Sequence, residues 1–437
     1  MKIGIISLGC CKNLVDTENL LGLLKENNID FTTSYDDADA IIINTCGFIE
    51  QAKQEAIDTI LEIADVKAKT NCKIIVMGCL AQRYKDELIK EMPEVDRFIK
   101  IDEYKDLGNI LSEVLNVKIN NTYGKSTRML SDKPWMAYLK IADGCDNRCA
   151  YCAIPNIRGP YRSFEMEGLI EEAKRLALNG VKELNLIAQD TTRYGIDLYH
   201  ERSLYKLLLA LNDIEGLRWI RILYMYPDEI DDILLHTMQK CEKVLPYFDI
   251  PSQHGNDRML KIMNRRGSVK LIKERVAKIR SMFDPCVLRT TMIVGFPSET
   301  KEEFEDCLDF IRDIKWDRLG AFTYSKEEDT PSYDMIDDVD PQEKDRRLNE
   351  MMELQTSLQN DINEHLVGQT LEVLVEKYDG FTKMYHARSI YSAPDGVDGE
   401  VLFRCDEDIN LGDFVFVKVN KVRKHDLIAS YVRRNGE

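Results

Sequence analysis

Three short apolar runs, at residues 2–8, 40–45 and 73–78, each carry the chain to a cysteine: Leu8-Gly-Cys10, Asn44-Thr-Cys46 and Met77-Gly-Cys79. Between and after them, residues 14–25, 49–68 and 82–91 have helical periodicity, with Leu20, Leu21, Leu23 and Leu24 supplying the apolar face of the first. Strands alternating with helices in this way predict a parallel, doubly wound sheet. Sites in open parallel sheets form in the crevice beyond the carboxyl ends of the strands. Three cysteines far apart in sequence are thereby brought to one crevice. A single buried free cysteine is ordinary, but three at equivalent strand ends predict a metal or cluster site. The polar stretch 117–133 lacks periodicity and reads as a linker out of a first domain at 1–116.

A second alternation fills 134–366. Strands are expected at 137–142, 183–188, 219–224, 247–251, 287–294 and 318–324, with helices such as 166–178 and 268–281 between them. Six βα units predict a partial, open (β/α) barrel, whose site lies at the carboxyl face. The loop after its first strand reads Cys145-Asp-Asn-Arg-Cys149-Ala-Tyr-Cys152. Three thiolates cannot close a structural zinc site, which takes four ligands. A 4Fe–4S cluster also takes four, so three leave one iron open to a substrate or cofactor. Leu348, Met351, Leu354, Leu358, Ile362 and Leu366 then mark a bridging helix at 342–366. Short strands at 371–375, 400–403 and 414–419 with Gly- and Asp-bearing turns predict a small all-β barrel at 367–434.

At 437 residues the chain is expected to hold two to three domains. It has no leader-like start and no run of eighteen apolar residues, so a cytoplasmic protein without a membrane span is expected. In that reducing setting its twelve cysteines are better read as ligands than as disulfides. The net charge of −17 argues against sequence-independent nucleic-acid binding and suits a basic partner.

The C-x3-C-x2-C spacing, with an aromatic before the last cysteine, resembles the signature of the radical S-adenosylmethionine (SAM) enzymes. With the strand-end triad and the terminal barrel, the whole chain resembles the methylthiotransferases, which combine a cluster domain, a radical barrel and a TRAM domain. Within that family it resembles the RimO type, which acts on an aspartate of ribosomal protein S-twelve. The matching words are Ser7-Leu-Gly-Cys10, Gly47-Phe-Ile-Glu50, Ala188-Gln-Asp-Thr-Thr192, Arg221-Ile-Leu-Tyr-Met-Tyr-Pro227 and Pro251-Ser-Gln-His-Gly255. The tRNA-modifying MiaB type typically has Ser-Gly in place of His254-Gly255 and Ser-His-Pro in place of Met225-Tyr-Pro227. Cys11 departs from the pattern, because the family usually has Pro there. Residues 369–433 hold nine Lys and Arg against eleven Asp and Glu, a net of −2 that fits a basic protein substrate better than tRNA phosphate.

The resemblance implies two 4Fe–4S clusters, on Cys10, Cys46 and Cys79 and on Cys145, Cys149 and Cys152. It implies SAM as both radical source and methyl donor. Hydrogen abstraction at the aspartate β-carbon would be followed by transfer of a methylthio group held on the open iron of the first cluster. Tyr151, Gln189, Asp190, Gln253, Arg289, Gly295 and Glu299 are the expected SAM contacts, the last two from Met292-Ile-Val-Gly-Phe-Pro-Ser-Glu299. His254, Arg158 and Arg162 are weighed as further site residues or as packing and surface groups. An electron donor such as flavodoxin or ferredoxin, a sulfur donor and a monomeric state are also expected. Two other readings compete: a MiaB-type tRNA methylthiotransferase, and a non-catalytic iron–sulfur electron carrier.

Overall fold

A computed structural model describes residues 1–124 and 128–433. The linker expected at 117–133 and the barrel end expected at 434 reach residues 125–127 and 434, which lie outside the described residues. The first strands, β1 (Lys2–Ser7), β2 (Asp30–Thr32), β3 (Ala40–Thr45), β4 (Lys73–Gly78) and β5 (Arg97–Ile99), form a parallel sheet in the order β2-β1-β3-β4-β5. Ile41, Ile43, Ile74 and Val76 face one apolar cluster and Ala40, Ile42, Ile75 and Met77 the other. That burial on both faces is why the middle strands read as unbroken apolar runs. Helices α1 (Cys11–Glu26), α2 (Glu50–Thr70) and α3 (Cys79–Glu91) start within a few residues of the strand ends.

The next sheet is also parallel. Its strands β6 (Met136–Lys140), β9 (Glu183–Ile187), β10 (Trp219–Ile222), β11 (Val244–Asp249), β12 (Val287–Val294) and β13 (Arg318–Thr323) lie in the order β13-β12-β11-β10-β9-β6. The pair β7 (Ala142–Asp143) and β8 (Arg162–Ser163) closes the base of the cysteine loop. One face, with Leu184, Leu186, Ile220, Ile222, Phe248 and Leu288, packs on the surrounding helices. The other carries Ile187, Trp219, Leu223, Tyr247 and Val287, and is covered by Val15 of α1 and by the terminal barrel. The helix Pro341–Glu364 leads into that barrel, which closes from β14 (Thr370–Asp379), β15 (Met384–Arg388), β16 (Val401–Arg404), β17 (Phe414–Arg423) and β18 (Asp426–Val432). Among the described residues no helix is long and apolar enough to cross a membrane.

The covered face also holds buried charge. Glu183, wholly buried, accepts from Arg221 at 3.2 Å and pairs with Arg388 of the terminal barrel, which also reaches Glu376 at 2.8 Å. Burial alone would raise the Glu183 pKa, but Arg388 and then Arg221 outweigh it and hold the carboxyl below its usual range. The folded pKa thus lies below the unfolded one. The stabilisation is complete above the unfolded value of about 4.3 and is lost as pH falls through the lowered folded value. Glu183→Gln leaves two buried guanidiniums short of charge and is expected to cost about 3–5 kcal/mol. A lower thermal midpoint at pH 7, earlier proteolytic release of the terminal barrel, and a smaller difference from the parent at acid pH would register it.

Candidate functional site

The strand-end cysteines meet through their glycines. A Cβ built on Gly9 would lie 2.7 Å from the Cys46 Cβ and 3.2 Å from its Sγ, and one on Gly47 would lie 2.8 Å from the Leu80 N and 3.0 Å from the Cys79 carbonyl carbon. Only glycine lets these chain segments approach so closely. Cys10 is exposed at the N-cap of α1, whereas Cys46 and Cys79 are buried. The Cys79 thiol donates to Asn13 Oδ1 at 3.5 Å, and Arg158 Nη2 lies 3.9 Å from its sulfur. Burial pushes Cys79 up to about 12, with Cys46 and Cys10 adding to the shift against Arg158. Burial raises Cys46 too.

The second triad is held by its backbone. The Cys145 N–H donates to Gly159 O at 3.1 Å, Cys152 N–H to Cys149 O at 3.0 Å, and Ala150 N–H to Met263 O at 2.8 Å. The sulfurs have donors of their own: the Asn147 N–H is 3.5 Å from Cys145 Sγ, and Arg265 Nη1 is 3.5 Å from Cys149 Sγ. Burial pushes Cys145 up to about 11, and Cys149, Asp190 and Asp146 push the same way against the Asn147 N–H. Cys152 is raised by burial and by the two neighbouring thiols.

All three cysteines line one cavity of about 490 Å³, with Asp146, Arg148, Pro155, Asn156, Pro160, Asp329 and Pro331. A site of that size takes a small-molecule ligand. Among the described residues no three His, Cys, Asp or Glu side chains converge on a single ion. Free thiols grouped in a cavity wall, with N–H donors at their sulfurs, fit a multi-iron cluster. Its cationic core would offset several thiolates that burial and mutual repulsion otherwise disfavour.

Two connections join the triads. The segment 223–227 follows β10, and its Tyr226 hydroxyl is 3.7 Å from Cys149 Sγ while its Tyr224 hydroxyl is 3.7 Å from Cys11 Sγ, beside Cys10. Arg158 ends the short helix Ile154–Arg158 that follows Cys152. It donates to Asp143 at 3.1 Å, to Asp16 at 3.0 Å and to Asn13 at 2.7 Å, the last two on α1. It therefore contacts two carboxylates, while Arg162 is exposed.

The expected SAM contacts fare unevenly, and none of the seven lines the triad cavity. Tyr151 packs edge-on against Phe296, with ring centroids 6.5 Å apart, beside Cys149 and Cys152. Asp190 ties the loop to the end of β9 by accepting from Asn147 Nδ2 at 2.9 Å, and burial raises its pKa. The Gln189 Oε1 is buried and, among the described residues, has no hydrogen-bond partner. Gln253 sits at φ +73° beside β12, linked through its backbone to Thr291 and Ile293. Both Glu299 oxygens are taken by the protein: Oε1 by His254 Nε2 at 3.0 Å, Oε2 by Arg347 at 2.9 Å and by the Gly295 N–H. His254 Nδ1 accepts the Asn256 N–H at 3.0 Å, which puts its proton on Nε2 and makes it a buried brace. Arg289 lies among Asp395 at 2.6 Å and Asp249 and Asp398 at 3.9 Å, toward the terminal barrel and away from the triad. Arg265 and Asn147, which touch the triad, were missed. Neither stands in a pattern of its own, although Asn147 lies inside the cysteine word.

Parallel-sheet domain, open six-stranded barrel and closed β-barrel define a radical SAM protein with an added N-terminal cysteine domain. Family models agree along the chain: uncharacterized protein family UPF0004 over residues 2–100, the radical SAM superfamily over 139–311 and the TRAM domain over 367–432. The chain is 46% identical to the ribosomal protein uS12 methylthiotransferase RimO of Acetivibrio thermocellus, covering 100% of this chain and 99% of that one. It is 45% identical to the protein of the same name from Caldicellulosiruptor saccharolyticus, over 99% and 100% of the two chains. The chain belongs to the RimO methylthiotransferase family. In fold it is similar to the radical SAM methyltransferase TsrM of Kitasatospora setae, with a TM-score of 0.57 at 12% identity over 87% of this chain and 79% of that one.

Proposed function

We propose that this chain is a radical SAM methylthiotransferase that places a methylthio group on the β-carbon of an aspartate of ribosomal protein uS12. The observation that carries the reading is the pairing of two cysteine triads, one gathered from three strand ends of the first sheet and one in the loop after the first strand of the second, joined by the segment 223–227 and by Arg158. Full-length identity to proteins named for that activity supports it. The cluster domain is taken as 1–116, the linker as 117–133, the radical core with its bridging helix as 134–366 and the TRAM domain as 367–434.

Cys145, Cys149 and Cys152 would hold one 4Fe–4S cluster, and Cys10, Cys46 and Cys79 a second. Bound there, cluster and SAM supply the one-electron chemistry that an unactivated C–H bond requires, and SAM also supplies the methyl group. The chain's own part is placement. Arg265 and the Asn147 N–H orient Cys149 and Cys145. The Gln189 Oε1, a buried acceptor without a partner among the described residues, would accept from the amino group of SAM. Packing of α1 and the terminal barrel on the sheet face keeps water from the strands beneath. Turnover also needs an electron donor such as flavodoxin or ferredoxin, and a sulfur donor.

The test presents uS12 and tRNA side by side to the anaerobically reconstituted protein. The expected result is a mass gain of one methylthio group on uS12. Gain on tRNA alone would overturn the reading, and absence of SAM cleavage under reducing conditions would favour an electron carrier.

A further inference from the structure

Lys12 is buried at 6% exposure in the first turn of α1, yet among the described residues its ammonium makes no hydrogen bond and no ion pair. Its charge rests on the Tyr224 ring, 3.3 Å from the centroid. Other buried cations nearby are paired: Lys140 with Asp16 and Asp143, Arg158 with the same two carboxylates. A ring face compensates a charge only in part, so this ammonium is open to pairing with an anion that arrives from outside.

Two further observations place such an anion. Helix pairing in α1 begins with Leu14 N–H to Cys10 O, and no side chain caps the helix, so the amides of Cys11, Lys12 and Asn13 have no acceptor among the described residues. Free first-turn amides add to the attraction for a negative group. Tyr224 is held at φ +61° by its N–H to Asp249 at 2.9 Å and its carbonyl to Thr191. Non-glycine residues in this conformation are scarce and collect at functional sites. Lys12 lies two residues from Cys10, and Tyr224 two residues from Tyr226, which touches Cys149.

We propose that Lys12, with the N-terminus of α1, binds the side-chain carboxylate of the aspartate to be modified. The assignment rests on the function proposed above and adds its specificity residue. The β-carbon is bonded directly to that carboxylate, so fixing one fixes the other between the triads. A purine presents no such anion, and Lys12 would therefore favour the protein substrate over a nucleoside.

The test uses the reconstituted full chain and uS12 with either Asp or Asn at the target position. Affinity is read by fluorescence anisotropy of labelled uS12 and turnover by mass spectrometry. For Lys12→Met, iron content and SAM cleavage without substrate should match the parent, while KM for Asp-uS12 rises and affinity falls by roughly 30-fold or more, as expected on removing one partner of a desolvated charge pair. Lys12→Gln should lose the preference for Asp over Asn, and Lys12→Arg should keep it. Unchanged affinity and KM in Lys12→Met would overturn the assignment, as would loss of iron with unchanged affinity, which would make Lys12 a support for the cluster. If the parent itself fails to modify uS12, the underlying function falls instead.

Discussion

Alanine at Cys145, Cys149 and Cys152 together is expected to abolish methylthio transfer while leaving the chain folded. The loop is fastened through its backbone, to Gly159, Met263 and Ser332, so removing three sulfurs loosens none of those bonds. Burial also holds the Cys145 and Cys152 thiols toward their neutral form, so their loss uncovers no buried charge, and Arg265 keeps its bond to the Pro251 carbonyl when the Cys149 sulfur is gone. Iron should fall from about eight to about four per chain, if each triad carries one four-iron cluster. Turnover should fall by at least about 10⁶-fold, the lower end of enzymatic rate enhancement, and SAM cleavage should vanish with it. Alanine at Cys46 and Cys79 should lose the same amount of iron but keep SAM cleavage. Iron analysis, product analysis of SAM and mass spectrometry of uS12 check the pair of variants. Residual methylthio transfer in the first, or lost SAM cleavage in the second, would contradict the division of labour between the triads.

The first triad was legible because backbone periodicity sets it: a cysteine after each of three parallel strands needs no side-chain geometry to be placed, and the second was legible from its spacing within one loop. The strands β2 and β5, three residues each at the sheet edges, were not, since three residues cannot display a period. The strands β15 and β18 were missed where Met384-Tyr-His-Ala-Arg388 and Asp426-Leu-Ile-Ala-Ser-Tyr-Val432 mix polar and apolar positions on a small barrel. Arg289 and Glu299 show a different limit. Arg289 lies within the expected strand and Glu299 follows it, but side-chain direction decides the role of each, and the partners that claim them, Asp395 and Arg347, are far away in sequence. Charged residues on the covered face of β9 and β10 were likewise unreadable, because Arg388, which completes the Glu183 pair, comes 205 residues later.

Arg158 is where loss of one side chain should shift the first triad out of alignment with the second. Its guanidinium is nearly inaccessible, at 1% side-chain exposure, and joins Asp143 beside the cysteine loop to Asp16 and Asn13 on α1 and to the Cys79 sulfur. Burial alone would raise the Asp143 pKa, but Lys140 and Arg158 outweigh it and hold the carboxyl below its usual range. Arg158→Met preserves volume but leaves Asp16 and Asp143 to share Lys140 alone. Removing one member of a buried charge cluster costs about 3–5 kcal/mol, and here that loss falls on the contact between the first two domains. Lysine should not restore it, because one ammonium cannot reproduce a planar fork with donors toward four partners. The pH dependence has a definite sign: with a lowered folded pKa, the Asp143 contribution is complete above the unfolded value of about 3.9 and disappears as pH falls through the folded one. Thermal melts of the variant should therefore lie below the parent at pH 7 and converge toward it in acid. At neutral pH, limited proteolysis should cut the segment 117–133 sooner, and methylthio transfer should fall more than SAM cleavage, because the second triad keeps its own loop while the first loses its alignment. Equal melts and equal proteolysis rates would show instead that α1 and the barrel are held together by their apolar contacts alone.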